Sequence, residues 1–201
     1  SPSVASWVFG HSTNLNNTSD SLKGALDDVR VYDRLLTDED IALLASLGTP
    51  EATHSQPIHH WTFDETSGNT AHDSAGSADG VLLNWGVAEP KWSAGKIGGA
   101  LEFTTNDNAV VTAPASVGAK WSVSFWVKMH ARTSLNPRVI GPQDGRELWA
   151  YIDVENSGGG AYLSHNQRTF EPAALPLESW EHYVFTYDTD ADIGTIYHDG
   201  V

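Results

Sequence analysis

Apolar and polar residues alternate along many short segments of this sequence, and this period of two constrains the fold more than any other feature. In "SVSFWVKM" (122–129), alternation predicts that one face of a strand carries Val123, Phe125, Val127 and Met129. Similar segments are "ALDDVRVYD" (25–33), "ALEF" (100–103), "NAVVTA" (108–113), "WAYIDVE" (149–155), "HYVFTYD" (182–188) and "TIYHDGV" (195–201). Glycine-containing turn signals separate them, such as Gly98-Gly99 and Asp199-Gly200. The pattern predicts an all-β sandwich of two antiparallel sheets.

Residues 37–48 depart from this pattern and predict one short helix. Thr37 is a suitable N-cap, and Asp40 three residues later forms a variant of the capping box. Gly48 is a stop signal, with Pro50 beyond it. The apolar stripe between these signals consists of Ile41, Leu44 and Ala45. A helix this short is expected to lie against the sandwich.

Composition excludes several classes of function. The net charge of −15, from 26 acidic and 11 basic residues, disfavours binding to nucleic acid or to anionic membranes. There is no cysteine, which excludes disulfides and thiolate metal sites. No apolar run approaches the roughly 20 residues of a membrane span, so membrane insertion is not expected. Neither an initiator Met nor a signal peptide is present, and we expect the sequence to belong to a longer protein.

Several longer stretches resemble a laminin-G-like jellyroll domain of the concanavalin A-like lectin/glucanase superfamily. The opening of such a domain is similar to "IHHWTFDETSGNTAHDSAGSADGVLLN" and "WSAGKIGGALEFTTNDNAVVT", and its central part to "WSVSFWVK" and "LESWEHYVFTYDTDADIGTIYHDGV". Its final strand and helix resemble "LKGALDDVRVYDRLLTDEDIALL", which begins at Leu22. Together the stretches touch nearly the whole chain. They differ from the family in order, because the family's end comes first here.

This order predicts the domain organisation. Residues 1–47 match the C-terminal strands and helix of one repeat, 48–57 form a linker, and 58–201 match the N-terminal and central part of the next repeat. We therefore expect a sequence cut out of phase from a tandem array. Residues 1–47 and 58–201 are expected to form one circularly permuted jellyroll sandwich. The alternatives are exchange of residues 1–47 between chains, or an incomplete sandwich with exposed edges.

The resemblance also bears on catalysis. Glucanases of this fold place Glu, Asp and Glu at alternate positions of one strand as nucleophile, helper and general acid. The most similar segment here is "YIDVE" (151–155), in which Tyr151 stands where the nucleophilic Glu is required. The sequence also has no Gly-x-Ser-x-Gly, His-Glu-x-x-His or phosphate-loop motif. We therefore predict that the chain is not an enzyme.

A structural calcium ion is expected from the resemblance. Related glucanases tie the first strand to an Asp just before Val-Arg-Val-Tyr, and Asp27 occupies that place in this sequence. Ca²⁺ takes six to eight oxygen ligands, often from acidic loops. We predict a Ca²⁺ site formed by Asp27 and Asp64, with Asp73 or Asp28 as further ligands. The alternative is ordinary turn chemistry, in which Asp caps its own backbone.

The sequence also bears on zinc sites and on sugar-binding surfaces. A zinc site is not expected at His59 and His60, because adjacent strand residues face opposite sides and cannot easily share one ion. A sugar-binding surface is expected around "WAYIDVE", because aromatic side chains form platforms for sugar rings and polar side chains bind hydroxyls. The residues predicted to bind a glycan are Trp149, Tyr151, Asp153, Arg146, His165 and Asn166.

These observations predict a non-catalytic carbohydrate-binding or adhesion module of a secreted or cell-surface bacterial protein. Its expected partners are a glycan or cell-surface ligand and the neighbouring repeats of the same protein. One alternative is a structural spacer repeat that binds nothing. The other is an accessory domain of a polysaccharide-degrading enzyme whose catalytic domain lies elsewhere. The fold alone does not separate these functions.

Overall fold

The alternating segments form antiparallel strands in a computed structural model of the chain. The structure describes residues 3–11, 21–46, 56–85, 91–104, 109–131, 138–142, 149–153, 160–164, 168–170 and 176–201. Within these residues, the strands form two large sheets and one small two-stranded sheet, and the predicted all-β sandwich is confirmed.

The first large sheet, called sheet 1, has seven strands. Six of them lie side by side in the order β17 (Ile193–His198), β16 (Trp180–Asp188), β11 (Lys120–Met129), β3 (Gly24–Tyr32), β8 (Gly99–Phe103) and β7 (Lys91–Ala94). The seventh strand, β4 (His59–Trp61), also pairs with β3.

The second large sheet, called sheet 2, has eight strands. Their spatial order is β15 (Arg168–Phe170), β14 (Gly160–Ser164), β13 (Trp149–Asp153), β12 (Arg138–Pro142), β2 (Trp7–Phe9), β9 (Ala109–Thr112), β6 (Gly80–Leu83) and β5 (Thr70–Ala71). The small sheet pairs β1 (Ser3–Ala5) with β10 (Ala115–Val117).

Two strands from the N-terminal part of the chain, β2 and β3, lie in the interior of the two large sheets. β3 is inserted between β11 and β8 in sheet 1, with Val31 opposite Val123 and Leu26 opposite Leu101. β2 is inserted between β12 and β9 in sheet 2, with Phe9 opposite Ile140 and Val110. Each sheet is therefore continuous because strands from residues 1–47 join strands from residues 58–201.

The two sheets enclose one apolar core. The predicted inward-facing residues of β11 all belong to it, and each is at most 2% exposed: Val123, Phe125, Val127 and Met129. Phe9 of sheet 2 packs edge-to-face on Trp61 of sheet 1 at 5.0 Å between ring centroids, and on Phe63 at 6.2 Å. Trp7 contacts Trp121 of sheet 1 in the same way at 6.2 Å. Aromatic residues of β2 thus join the two layers.

The predicted helix is present as α1 (Asp38–Ala45). The Thr37 hydroxyl accepts a hydrogen bond from the Asp40 backbone N–H, and the Asp40 carboxylate accepts one from the Thr37 N–H, which confirms the capping box. Ile41 and Leu44 are buried against a second apolar cluster on the outer face of sheet 1, formed with Tyr32, Leu36 and Val184. The predicted stop at Gly48 lies outside the described residues.

Replacing Phe9 tests whether the N-terminal strands belong to the core. Phe9 is fully buried, and we expect Phe9→Ala to lower the free energy of unfolding by about 3–5 kcal/mol, because it removes a large ring and leaves a cavity. Urea denaturation monitored by tryptophan fluorescence measures this change. Val81→Thr is the control: Val81 is 53% exposed in the same sheet, and its replacement should stay within about 0.5 kcal/mol of wild type. A loss below about 1 kcal/mol for Phe9→Ala would show that β2 does not pack as described.

Candidate functional site

Two adjacent carboxylates, Asp27 and Asp28, lie at an irregularity in β3. Asp27 pairs with Trp126 of β11 and Arg30 pairs with Ser124, so three steps along β3 match two steps along β11. Asp28 has a φ of 52°, in the left-handed region. An extra residue of this kind, a β-bulge, interrupts the side-chain alternation of a strand. As a result, the two neighbouring acids have different partners.

Asp27 is fully buried and only half satisfied. Its Oδ2 atom accepts hydrogen bonds from the backbone N–H groups of Lys96 at 2.7 Å and Ile97 at 2.8 Å. Its Oδ1 atom is buried and has no hydrogen-bond partner within the described residues. A buried carboxylate oxygen without a donor is unfavourable, because it has lost its contact with water and gained nothing in return. The free oxygen is therefore a candidate ligand atom.

Asp64 contacts the same turn, residues 95–99, that Asp27 contacts. Its Oδ1 atom accepts a hydrogen bond from Gly99 N at 2.5 Å, so residues 95–99 contact both Asp27 and Asp64. Gly98 has a φ of +68°, and a Cβ atom there would lie 2.3 Å from the Asp64 Oδ1 atom. A Cβ atom on Gly95 would lie 2.6 Å from the Asp27 Oδ2 atom. The glycines of the "GKIGG" turn are what allow both carboxylates to approach it so closely.

The electrostatics at Asp27 suit a bound cation. Burial raises the pKa of Asp27 from 3.8 to about 7, and the negative charges of Asp28 and Asp64 act in the same direction. The hydrogen bonds from Ile97 and Lys96 act against this rise but do not cancel it. A cation beside Asp27 would neutralise the charge that burial makes unfavourable.

The donor set fits Ca²⁺ in kind. Carboxylate oxygens are hard ligands, and two carboxylates supply at most about four of the six to eight oxygens that Ca²⁺ requires. The remainder would come from backbone carbonyls and water. Asp27 and Asp64 are therefore the two predicted ligands that the structure brings to one place.

Asp28 has cationic partners instead. Arg30 donates to it from Nε and Nη2, and His60 Nε2 lies 2.6 Å from its Oδ1 atom. Burial alone would raise the pKa of Asp28, but the hydrogen bond and charge of His60 and the charge of Arg30 hold it below its usual value. Asp28 is thus part of a buried ion-pair network. None of these contacts joins it to Asp64 or to the turn at 95–99.

Asp73 organises a loop. Its two oxygens accept hydrogen bonds from the backbone N–H groups of residues 60, 75, 76 and 78, and His59 Nδ1 lies 2.6 Å from its Oδ2 atom. Burial would raise the pKa of Asp73, but these hydrogen bonds together lower it. This arrangement is the turn chemistry that the sequence analysis gave as the alternative to a metal site.

The histidine pair behaves as strand alternation predicts. His59 contacts Asp73, whereas His60 contacts Asp28, so the two rings do not share one partner. A different group of possible metal ligands emerges at β16 and β17, where ligand atoms of Glu181, His198 and Asp199 lie within 4.8 Å of one another. This group was not predicted from the sequence, because Glu181 is separated from His198 and Asp199 along the chain. The Asp199-Gly200 turn signal, combined with pairing of β16 and β17, would have found it.

Three of the predicted glycan-binding residues lie on β13. Trp149, Tyr151 and Asp153 occupy alternate positions of β13, where Trp149 pairs with Ser164 and Tyr151 with Tyr162. Arg146, His165 and Asn166 lie outside the described residues, as does Glu155 of the "YIDVE" segment. The register adds Tyr162, which the sequence analysis had not selected, opposite Tyr151.

Comparison with known protein families gives a match to residues 103–201 of the chain. The family model Laminin_G_3, described as the concanavalin A-like lectin/glucanases superfamily, matches residues 103–201. Comparisons with curated proteins and with solved structures gave no match. In the described part of the chain, no helix has the length and apolarity needed to cross a membrane.

The matched region contains three strands of sheet 1 (β11, β16 and β17) and five strands of sheet 2 (β9 and β12 to β15), and the remaining strands complete the same two sheets. The match of residues 103–201 to the concanavalin A-like lectin/glucanases superfamily supports a laminin-G-like jellyroll domain, and the two-sheet sandwich in which these residues lie has the architecture of such a domain.

Proposed function

We propose that this domain is a non-catalytic carbohydrate-binding or adhesion module that carries a structural calcium ion at Asp27 and Asp64. The observation that carries the binding function is the match of residues 103–201 to a lectin/glucanase superfamily, since the matched region includes β13 and its neighbours. The proposed ligand is a glycan of a polysaccharide or a cell surface.

The proposed binding surface is centred on β13 and β14 of sheet 2. The register places Trp149 beside Ser164 and Tyr151 beside Tyr162, which concentrates three aromatic residues on two adjacent strands. Aromatic rings combine a large apolar area with little conformational freedom, which suits the flat faces of sugar rings. The other polar residues predicted to bind follow β12 and β14 in sequence.

The non-catalytic part of the proposal depends on one position. Glycoside hydrolysis with retention requires two carboxyl groups on either side of the scissile bond. In "YIDVE", the first position of the required series is Tyr151, which cannot act as the carboxylate nucleophile. We therefore assign the surface to binding without bond cleavage.

The calcium ion is assigned a structural role. Asp27 belongs to β3 and Asp64 follows β4, so an ion held by both would link residues 1–47 to residues 58–201. The turn at 95–99, which contacts both carboxylates, would be fixed at the same time. Binding to the folded form alone stabilises that form by mass action.

The proposed setting is extracellular or at the cell surface, with neighbouring repeats of the same protein beside this domain. Extracellular calcium-binding modules have dissociation constants of about 0.1–1 mM, which match calcium concentrations outside cells. A site with only two carboxylates is consistent with an affinity in this weak range. The strongly acidic composition fits a module that stays soluble and repels nucleic acid.

A glycan array tests the binding function. We expect the wild-type protein to bind a restricted set of glycans in calcium-containing buffer. Trp149→Ala should weaken this binding by at least roughly 10-fold, in line with the large effects of removing aromatic anchors from binding sites. Trp180→Ala is the matched control, because Trp180 lies in sheet 1 and should be replaceable without loss of glycan binding. Absence of binding to every glycan would contradict the proposal and favour a structural spacer.

Calcium removal tests the metal site. Saturating the protein with calcium at about 100 times its dissociation constant should add about 2.7 kcal/mol to the free energy of unfolding. For a domain of this size, this corresponds to a rise of roughly 5–10 °C in the melting temperature over the value in EDTA. Asp27→Asn and Asp64→Asn should abolish the rise, whereas Asp33→Asn, at an exposed position beyond β3, should retain it. An equal response to calcium in Asp27→Asn and wild type would exclude Asp27 as a ligand.

The pH dependence of stability tests the surroundings of Asp27 without metal. Because the pKa of Asp27 is raised from 3.8 to about 7, the folded chain retains a proton between these values that the unfolded chain has released. The contribution of Asp27 to stability is therefore present at about pH 4 and is lost as pH rises to about 7. We expect the stability of Asp27→Asn in EDTA, measured relative to wild type by urea denaturation, to increase over this range. A difference between the two proteins that does not vary with pH would contradict the burial of an uncompensated charge at Asp27.

A further inference from the structure

Three possible metal ligands converge where the hairpin of β16 and β17 ends. His198, the last residue of β17, pairs with Tyr183 of β16, and this register places Glu181 diagonally opposite His198. The His198 Nε2 atom lies 2.7 Å from the Glu181 Oε2 atom and 3.6 Å from the Asp199 Oδ2 atom. In a tetrahedral zinc site, bonds of about 2.0–2.2 Å separate the ligand atoms by roughly 3.4 Å. The three side chains are therefore close to the spacing of a metal site.

Each of the three side chains is also held from outside the group. The Ser179 hydroxyl donates to the Oε1 atom of Glu181, which leaves Oε2 directed to His198. The His182 backbone N–H donates to the Oδ1 atom of Asp199 at 2.9 Å, which leaves Oδ2 on the side of His198. Supporting contacts of this kind orient metal ligands and preserve metal affinity in known sites.

The imidazole of His198 is fixed by stacking. Its ring lies on that of Tyr183, with centroids 4.7 Å apart and planes inclined by 14°. Tyr183 is fully buried in the core and packs against Phe125 and Phe185, so the histidine rests on a rigid support. Its Nε2 atom is the one that faces both carboxylates.

Charge and access also favour a cation. Within the described residues, His198 is the only basic side chain that forms an ion pair with either Glu181 or Asp199. Two carboxylates therefore share one imidazole, and their negative charge is at most partly balanced. The side chains of Glu181 and His198 are 13% and 19% exposed, whereas that of Asp199 is 53% exposed, so one side of the group is open to solvent.

We propose that Glu181, His198 and Asp199 bind a divalent transition-metal ion of the Zn²⁺ class, with water completing the coordination. An imidazole nitrogen with two carboxylate oxygens is a common donor set for such ions, whereas Ca²⁺ takes oxygen ligands almost exclusively. The site is formed by different residues from the proposed calcium site at Asp27 and Asp64. Neither the glycan-binding proposal nor the calcium proposal depends on it.

Zinc binding in competition with a chromophoric chelator tests this proposal. The protein is first treated with EDTA and dialysed, and the titration is run in millimolar Ca²⁺, so that hard-cation sites are saturated and do not contribute. We expect wild type to bind one equivalent of Zn²⁺. His198→Gln and Glu181→Gln should lose this binding or bind Zn²⁺ with an affinity at least roughly 10-fold lower. The same Zn²⁺ equivalent should raise the melting temperature of wild type.

Asp199→Asn keeps the test independent of folding. Asp199 has a φ of 49°, which asparagine adopts readily, and the asparagine carbonyl can still accept the hydrogen bond from His182 N. This variant should fold like wild type and bind Zn²⁺ at least roughly 10-fold more weakly. His72→Gln is the matched control, because His72 forms an exposed pair with Asp79 at 3.3 Å, and its loss should leave the Zn²⁺ equivalent intact. The proposal is overturned if wild type binds no Zn²⁺, or if Asp199→Asn binds it as tightly as wild type does.

Discussion

Backbone pairing of β3 with three other strands is the constraint on which the rest of the structure depends. β3 lies between β11 and β8 and also pairs with β4, so its removal would separate β11, β16 and β17 from β7 and β8 and would leave β4 unpaired in sheet 1. Its side chains pack on both faces of sheet 1: Val29 and Val31 lie in the core between the sheets, and Tyr32 packs against the helix on the outer face. The bulge at Asp28 gives the adjacent acids Asp27 and Asp28 different partners. One of them, Asp27, contacts the turn at 95–99 and gives the proposed calcium site its buried oxygen.

The outer face of sheet 1 buries a set of polar groups that would be costly if they were left unpaired. Asp28, Arg30 and His60 form one connected network, in which the buried Arg30 balances the buried Asp28. Beside it, the Ser124 hydroxyl lies 2.9 Å from His182 Nε2, and burial lowers the pKa of His182 to about 4. His182 is therefore a neutral hydrogen-bonding group at physiological pH, unlike the paired ions next to it. Asp27 differs from Asp28 because one of its carboxylate oxygens has no donor among the residues that the structure describes, which is why Asp27 is the candidate metal ligand of the two.

Sequence reasoning succeeded where one local pattern determines the outcome. The alternation of Val123, Phe125 and Val127 predicts a buried strand face, because it requires only a neighbouring layer. The spacing of Thr37 and Asp40 predicts a capped helix, because both partners lie within one turn. The family resemblance was visible in motifs that span both halves of the chain, although the family model matches only residues 103–201.

The details of the sites depended on cross-strand register, which the sequence does not specify. The bulge between Asp27 and Arg30 separates the partners of Asp27 from those of Asp28, and it arises from pairing with β11. Asp73 was also a predicted calcium ligand, and its oxygens accept hydrogen bonds from a loop that folds back on it, an arrangement that the sequence pattern alone does not specify. Glu181 and His198 meet only because β16 and β17 pair in one particular register.

The central claim is that β3, from the N-terminal part of the chain, is an integral strand of the sandwich. Native-state hydrogen exchange tests this claim most directly, because it reports the free energy needed to open each backbone hydrogen bond. The account predicts that the amides of Val29 and Val31 exchange only through global unfolding, with the same protection as those of Val123 and Phe125 in β11. Exchange of the β3 amides through a low-energy opening, while β11 stays protected, would contradict it.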